Sequence, residues 1–233
     1  MNESSSPDVG VVIVAGGGGS RVGGAELKQF RWIAGKPMLL HSLQTFMQRR
    51  DVVTVVCVLP REYVGDPPPW IFQCDVNRLM ISVGGRTRTE SVANGLDDLP
   101  DEAAIVLVHD AARPFVNAET IDRVVQSVRD GHATIAAVPV TDTLKNVDES
   151  GLIAGTVERE GLWRAQTPQG FSREVIVRAH QEAKAARVSA TDDASLCERI
   201  GVPVSVVRGT ERAMKITEEA DFARAEALFN LPE

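Results

Sequence analysis

Between Val11 and Val138 short apolar runs alternate with segments of helical period, a rhythm that forces helices to layer on a largely parallel sheet. The runs are Val11 to Ala15, Val52 to Leu59, Leu79 to Val83, Ala104 to His109 and Ala133 to Val138, and the helical segments are Pro37 to Arg50, Arg88 to Leu99 and Asn117 to Asp130. In the first helical segment Leu39, Leu43, Phe46 and Met47 share one face, and Pro37 suits a first helical position. In the third, Ile121, Val124, Val125 and Val128 make the buried stripe, Asn117 can cap the start and Gly131 can stop the end. The pattern predicts an α/β fold, a mostly parallel sheet flanked by helices.

From Thr141 to Phe171 the periodicity gives way to short polar and apolar alternations around a turn at Asp148-Glu149-Ser150-Gly151. This predicts a β-hairpin arm inserted at about 141–171 into a single domain that spans 1–233. Helices then follow at Ser172 to Arg187 and Thr191 to Ile200, a strand at Pro203 to Val207 and a last helix after Thr217. Thr191 and Thr217 precede acidic residues, as helix N-caps do.

Chemistry first shows where the first apolar run ends, because Val11 to Ala15 passes at once into Gly16-Gly17-Gly18-Gly19-Ser20-Arg21. A strand running into a loop without side chains bares backbone N–H groups that can wrap a phosphate or read a base edge. The spacing completes neither a dinucleotide fingerprint nor a P-loop, so a plain flexible turn is the competing reading. Arg21 and, seven positions on, Lys28 set two cations beside the loop, as a leaving pyrophosphate needs. They must be local, because the net charge is −7 and offers no general basic face for nucleic acid. No apolar run approaches the roughly 18–20 residues of a membrane span. The opening MNESSSPDVG lacks a basic segment followed by an apolar stretch, which points to a cytoplasmic protein. Cys57, Cys74 and Cys197 are expected to be buried reduced thiols.

AGGGGSR followed by LKQF resembles the nucleotide signature of sugar-phosphate and polyol-phosphate nucleotidyltransferases. Gly84-Gly85 with Arg88 and Ser91, VHDAARPF at Val108 to Phe115, DTLK at Asp142 to Lys145, the stretch ending in QTPQGF, TDDASL and MKIT narrow the resemblance. Together they resemble the 2-C-methyl-D-erythritol 4-phosphate cytidylyltransferases across nearly the whole chain. The resemblance implies a Rossmann-like nucleotidyltransferase fold, a homodimer made through the arm, and Mg²⁺ as helper to CTP. It implies CTP contacts from Ala15, Gly16, Gly17, Gly19, Gly85, Ser91, Asp110, Ala111 and Arg113, with Asp110 also a candidate metal ligand. Arg21, Lys28 and Lys215 would act on the reacting phosphates. Thr167, Thr191 and Asp110 would hold the acceptor, joined by Thr143 and Arg159 from a neighbouring subunit.

Outside the resemblance these residues have plainer readings. Ser91 could be a cap, Asp110 and Arg113 a structural pair, Arg159 one charge of a solvated face, and His109 a buried hydrogen-bonded histidine. Gly16, Leu27 and Ala213 stand where the family more often has Ala, Pro and Asn. The Ala15-Gly16-Gly17 form also resembles ribitol-5-phosphate cytidylyltransferase and hexose-phosphate nucleotidyltransferases. Another sugar- or polyol-phosphate acceptor is thus the first alternative, and a nonenzymatic CTP-binding regulator the second.

Overall fold

Each apolar run becomes a strand of one sheet. The computed structural model describes residues 6–17 and 26–231. The chain opens with β1 (Val9–Val14), then a small ribbon of β2 (Trp32–Ile33) and β3 (Lys36–Pro37) that leads into α1 (Met38–Met47). Next come β4 (Val52–Leu59), β5 (Leu79–Val83), α2 (Arg88–Asp97), β6 (Ile105–Asp110), α3 (Ala118–Arg129) and β7 (Ala133–Pro139). The hairpin β8 (Leu144–Val147) and β9 (Ile153–Val157) follows, then β10 (Trp163–Ser172), α4 (Arg173–Ala185), α5 (Asp193–Arg199), β11 (Val204–Arg208) and α6 (Glu219–Phe229).

Among the described residues the main sheet has seven strands in the order β11-β7-β10-β6-β1-β4-β5. Only β10 runs antiparallel to its neighbours in it. Because β1 is covered on both faces, it reads as a continuous apolar run. Val9, Val11 and Ile13 face a core shared with α1 and α3, whereas Val12 faces the one built with α2 and α4. Both layers are closed with buried aliphatic side chains, each worth roughly 1.5–3 kcal/mol of burial.

Three sequence expectations shift. The arm is narrower than 141–171: β8 and β9 form a separate two-stranded ribbon, but β10 lies within the main sheet between β6 and β7. The apolar period is missing from β10 because its buried residues include Gln166, Thr167 and Gln169. The caps of α5 and α6 are Asp192 and Glu218, not Thr191 and Thr217. At α5 the Asp192 carboxylate accepts the Ser195 N–H at 3.2 Å; at α6 the Asp221 carboxylate accepts the Glu218 N–H at 3.0 Å and the Thr217 hydroxyl at 2.9 Å. Pro37 is likewise the residue before α1 rather than its first. Asn117 caps α3, and Gly131 takes the left-handed φ of +93° that ends it. The three cysteines are free and buried.

Candidate functional site

The parallel strands deliver their carboxyl ends to one edge, where open α/β sheets hold their ligands. A cleft of about 470 Å³ opens there, walled by Ala15 to Gly17 after β1, Gly85 to Arg88 at the start of α2, Asp110 to Ala112 at the end of β6, and Lys28, Gln29 and Lys215. Its backbone wall depends on missing side chains. A Cβ on Gly85 would stand 2.3 Å from the Glu90 Cβ, and one on Gly16 would stand 3.1 Å from the Gly84 Cα. Two loops therefore meet backbone to backbone, and an alanine at position 16 would crowd them. Ser91, which also lines the cleft, fixes this corner: its Oγ accepts the Gly85 N–H at 3.0 Å and donates to the Thr87 carbonyl at 2.9 Å.

Asp110 gathers the charge. Its Oδ2 accepts from Lys215 at 2.8 Å, its Oδ1 from Arg88 Nε at 3.3 Å, and Arg113 Nε lies 3.9 Å away. Burial alone would raise the Asp110 pKa, but Arg88, Lys215 and Arg113 outweigh it and hold the carboxyl well below its ordinary range. Arg88 is in turn gripped from behind by Asp193 at 2.7 Å, and Asp193 accepts from His180 Nε2 at 2.9 Å. Burial would lower the Arg88 pKa, yet Asp193 and Asp110 together raise it, so the guanidinium is permanently charged. Its Nη2 is buried without a hydrogen-bond partner among the described residues. That leaves a donor for an incoming anion.

The backbone of Asp110 is fixed as firmly as its carboxylate. His109, fully buried, must donate from Nε2 to the Arg113 carbonyl at 3.1 Å, so its Nδ1 accepts from the Thr167 hydroxyl at 3.0 Å. The same hydroxyl accepts the Asp110 N–H at 3.0 Å. Burial pushes His109 down to about 4 against the pull of Asp110, which keeps the ring neutral. Thr167 thus holds the carboxylate's own peptide in place.

Of the expected site residues, Ala15, Gly16, Gly17, Lys28, Gly85, Ser91, Asp110, Ala111 and Lys215 line this cleft. Lys28 Nζ donates to the Ile216 carbonyl at 2.7 Å, which brings the two lysines' loops together. Gly19 and Arg21 lie outside the described residues. Arg113 does not line the cleft; it pins the exit of β6 by donating to the Ala213 carbonyl at 2.8 Å and the Ala165 carbonyl at 3.2 Å. Residue 213 thus serves through its carbonyl. Thr191 stands exposed before α5, and Thr143 and Arg159 stand exposed on the arm, with Arg159 donating to the Thr141 carbonyl.

Sequence reasoning gave no role to Arg88, Gln29 or Asp193. Arg88 lay within a quoted motif, Gln29 within LKQF and Asp193 within TDDASL, but each works through contacts more than a dozen or even a hundred residues away. No local spacing reports such contacts.

Comparison with known proteins agrees with this architecture. The family model described as IspD, 2-C-methyl-D-erythritol 4-phosphate cytidylyltransferase, matches residues 9–230. The protein of that name from Prochlorococcus marinus is 42% identical over 234 residues, covering 95% of this chain and 98% of its own. A "Bifunctional enzyme IspD/IspF" from Desulfotalea psychrophila is 38% identical over 93% of this chain, which spans only 55% of that longer relative. The crystal structure of 2-C-methyl-D-erythritol 4-phosphate cytidylyltransferase from Thermus thermophilus superposes with a TM-score of 0.81 at 35% identity, covering 96% of this chain and all of that one. With its α/β sheet, its glycine-walled cleft and a family match running nearly end to end, the chain belongs to the 2-C-methyl-D-erythritol 4-phosphate cytidylyltransferase family.

Proposed function

We infer that this chain transfers the CMP part of CTP to 2-C-methyl-D-erythritol 4-phosphate, giving 4-(cytidine 5'-diphospho)-2-C-methyl-D-erythritol and pyrophosphate in non-mevalonate isoprenoid precursor synthesis. One observation carries the reading: Lys28, Arg88 and Lys215 converge with one buried, ionised Asp110 on a cleft whose opposite wall is bare backbone. Bare backbone suits a base edge and ribose, and converging cations suit phosphates.

In the reaction an oxygen of the acceptor's phosphate attacks the α-phosphorus of CTP in line. The new P–O bond makes the diphosphate, the bond to the β-phosphate breaks, and pyrophosphate leaves with the electron pair. No side chain needs to become a covalent carrier. Lys28 and Lys215 neutralise charge growing on the transferring and leaving oxygens, a task expected to fall to Arg21 as well. Asp110 sets the Lys215 ammonium, with Arg88 holding Asp110, so positioning and fixed charge supply the acceleration.

Mg²⁺ fits the donor set. Among the described residues no group of three or more acidic, His or Cys side chains gathers to cage a metal, and Asp110 is a single ionised carboxylate in the cleft. That suits an ion held mainly by substrate phosphates with one protein carboxylate. Bound there, it would add positive charge against the phosphate oxygens.

The arm supports a homodimer. Leu152 and Ile153 are 68% and 66% exposed, and Val147, Leu144 and Trp163 extend the apolar surface. Arg159 lies on this arm outside its own chain's cleft, as a residue serving a partner's cleft would. Among the described residues no helix is long and apolar enough to cross a membrane.

The test is pyrophosphate release from CTP, UTP, ATP and GTP with a panel of polyol phosphates. Release confined to CTP with 2-C-methyl-D-erythritol 4-phosphate is the expected result. Preference for ribitol 5-phosphate would move the acceptor, and CTP binding without release from any acceptor would make the chain a CTP-binding regulator.

A further inference from the structure

The Gly16-Gly17 run that walls the cleft cannot hold its own shape. Glycine gives up more conformational freedom on ordering than any other residue and brings no side chain to pack. Something outside the run must fix it, and Gln29 is placed to do so. Its Nε2 donates to the Ala15 carbonyl at 2.7 Å and to the Gly17 carbonyl at 3.1 Å. Both partners can only accept, so this end of the side chain is the NH₂, and both its hydrogens are used. The residue is 4% exposed although it borders the cleft.

The clamp is itself anchored. Gln29 sits in a 3-10 turn, Lys28–Phe30, whose Phe30 is buried edge-on against Tyr63 at 4.8 Å and Trp70 at 5.6 Å. Its neighbour Lys28 is tied to the loop that carries Lys215. The turn therefore joins the nucleotide wall to the catalytic lysines through two adjacent side chains.

Peptide geometry turns this clamp into a recognition device. In a trans peptide the carbonyl and the following N–H point in opposite directions. Drawing the Ala15 carbonyl onto Gln29 therefore aims the Gly16 N–H away from it, and no group among the described residues accepts that N–H. Without the clamp, two carbonyls would be released beside the cleft, and acceptors and donors along the wall could exchange places. A cytosine edge differs from a uracil edge by just such an exchange, an amino donor for a carbonyl acceptor.

We propose that Gln29 is a positioning residue that sets CTP affinity and the preference for cytosine over uracil by fixing which backbone groups of Ala15 to Gly17 face the base. The proposal rests on the cytidylyltransferase reading above, and the experiment keeps the two apart.

Steady-state kinetics with CTP and UTP would be measured for the wild-type protein, Gln29→Met and Gln29→Glu, alongside thermal melts. Methionine keeps the volume but has no donor, while glutamate sets a carboxylate against two carbonyls. In Gln29→Met the KM for CTP should rise roughly tenfold or more and the CTP-to-UTP preference should fall by about the same factor, with kcat changed less. Gln29→Glu should be worse on both. A merely structural role would lower the melting temperature and the active fraction and leave KM and base preference alone. A folded Gln29→Met that keeps its KM within about twofold and its base preference intact overturns the proposal. Wild-type protein that releases no pyrophosphate from CTP overturns the cytidylyltransferase reading instead. If Gln29→Met does not fold, the measurement passes to the side-chain amide protons of Gln29 in wild-type protein. They should exchange slowly with water and more slowly with CTP bound, and exchange as fast as an exposed glutamine overturns the proposal.

Discussion

Replacing Thr167 by valine removes one oxygen and leaves the shape. That oxygen serves two buried groups, since it accepts the Asp110 N–H and its proton goes to His109 Nδ1, each at 3.0 Å. His109 has no escape through its other tautomer, because Nε2 must stay protonated for the Arg113 carbonyl. The variant therefore strands one donor and one acceptor, at about 1–3 kcal/mol each, so a loss near 4 kcal/mol is expected. For a chain of this size that lowers Tm by roughly 8–16 °C. Thr167→Ser keeps the hydroxyl and loses a buried methyl, at about 1 kcal/mol. Urea unfolding of the two variants with unchanged m-values separates oxygen from methyl. Turnover should follow the same order, because the peptide carrying the central carboxylate is no longer held. Equal midpoints and equal turnover for Thr167→Val and Thr167→Ser would refute the assignment of this oxygen.

His109 also predicts an acid limb of stability. The folded ring stays neutral down to about 4, whereas the unfolded one takes its proton near the ordinary 6.5, so stability is full above about pH 7 and falls as pH drops from 6.5 towards 4. The difference is worth about 3 kcal/mol, and it should be missing from the pH–Tm curve of His109→Gln. Lys215→Met, at a side chain 43% exposed, should cost less than about 1 kcal/mol of stability but lower kcat by roughly 10²–10³. Near-normal kcat would remove Lys215 from catalysis. Mixed after subunit exchange, inactive but folded Arg159→Ala and Lys28→Ala protomers should regain about a quarter of wild-type activity if Arg159 acts across a dimer. Mixtures as inactive as their parents would confine the arm to dimerisation at most.

What could be read in advance follows from which force shaped each segment. The bounds of β4 match the sequence reading because Asp51 and Pro60 bracket a run that is apolar except for Thr54. Likewise α3 is fixed by an apolar stripe, a capping Asn117 and a stopping Gly131. At 191–192 and 217–218 two possible caps stand side by side, and the choice between them is made by geometry that adjacent residues do not encode. The largest misreading, β10, arose because that strand is held by polar bonds rather than by an apolar face. Gln169 shows this: it donates to Asp192 at 2.9 Å and accepts the amides of Asp193 and Ala194. The cleft was legible where backbone and charge meet in short motifs, as at Gly85 or Asp110. It was illegible where distant residues such as Gln29, Arg88 and Asp193 act through the fold.

The strand that follows the hairpin, β10, has one more effect. Trp163, on the arm's side, and Thr167, beneath the reactive carboxylate, share β10 and are four residues apart, about 13 Å of extended chain. Two residues past Thr167 the strand reaches the amides that open α5. The arm is therefore joined to the site by a strand embedded in the middle of the sheet, between β7 and β6, not by a loop at its rim. The arm proposed to build a dimer and the support of the carboxylate share that strand, so surgery that trims the arm for solubility should not cut past Leu162.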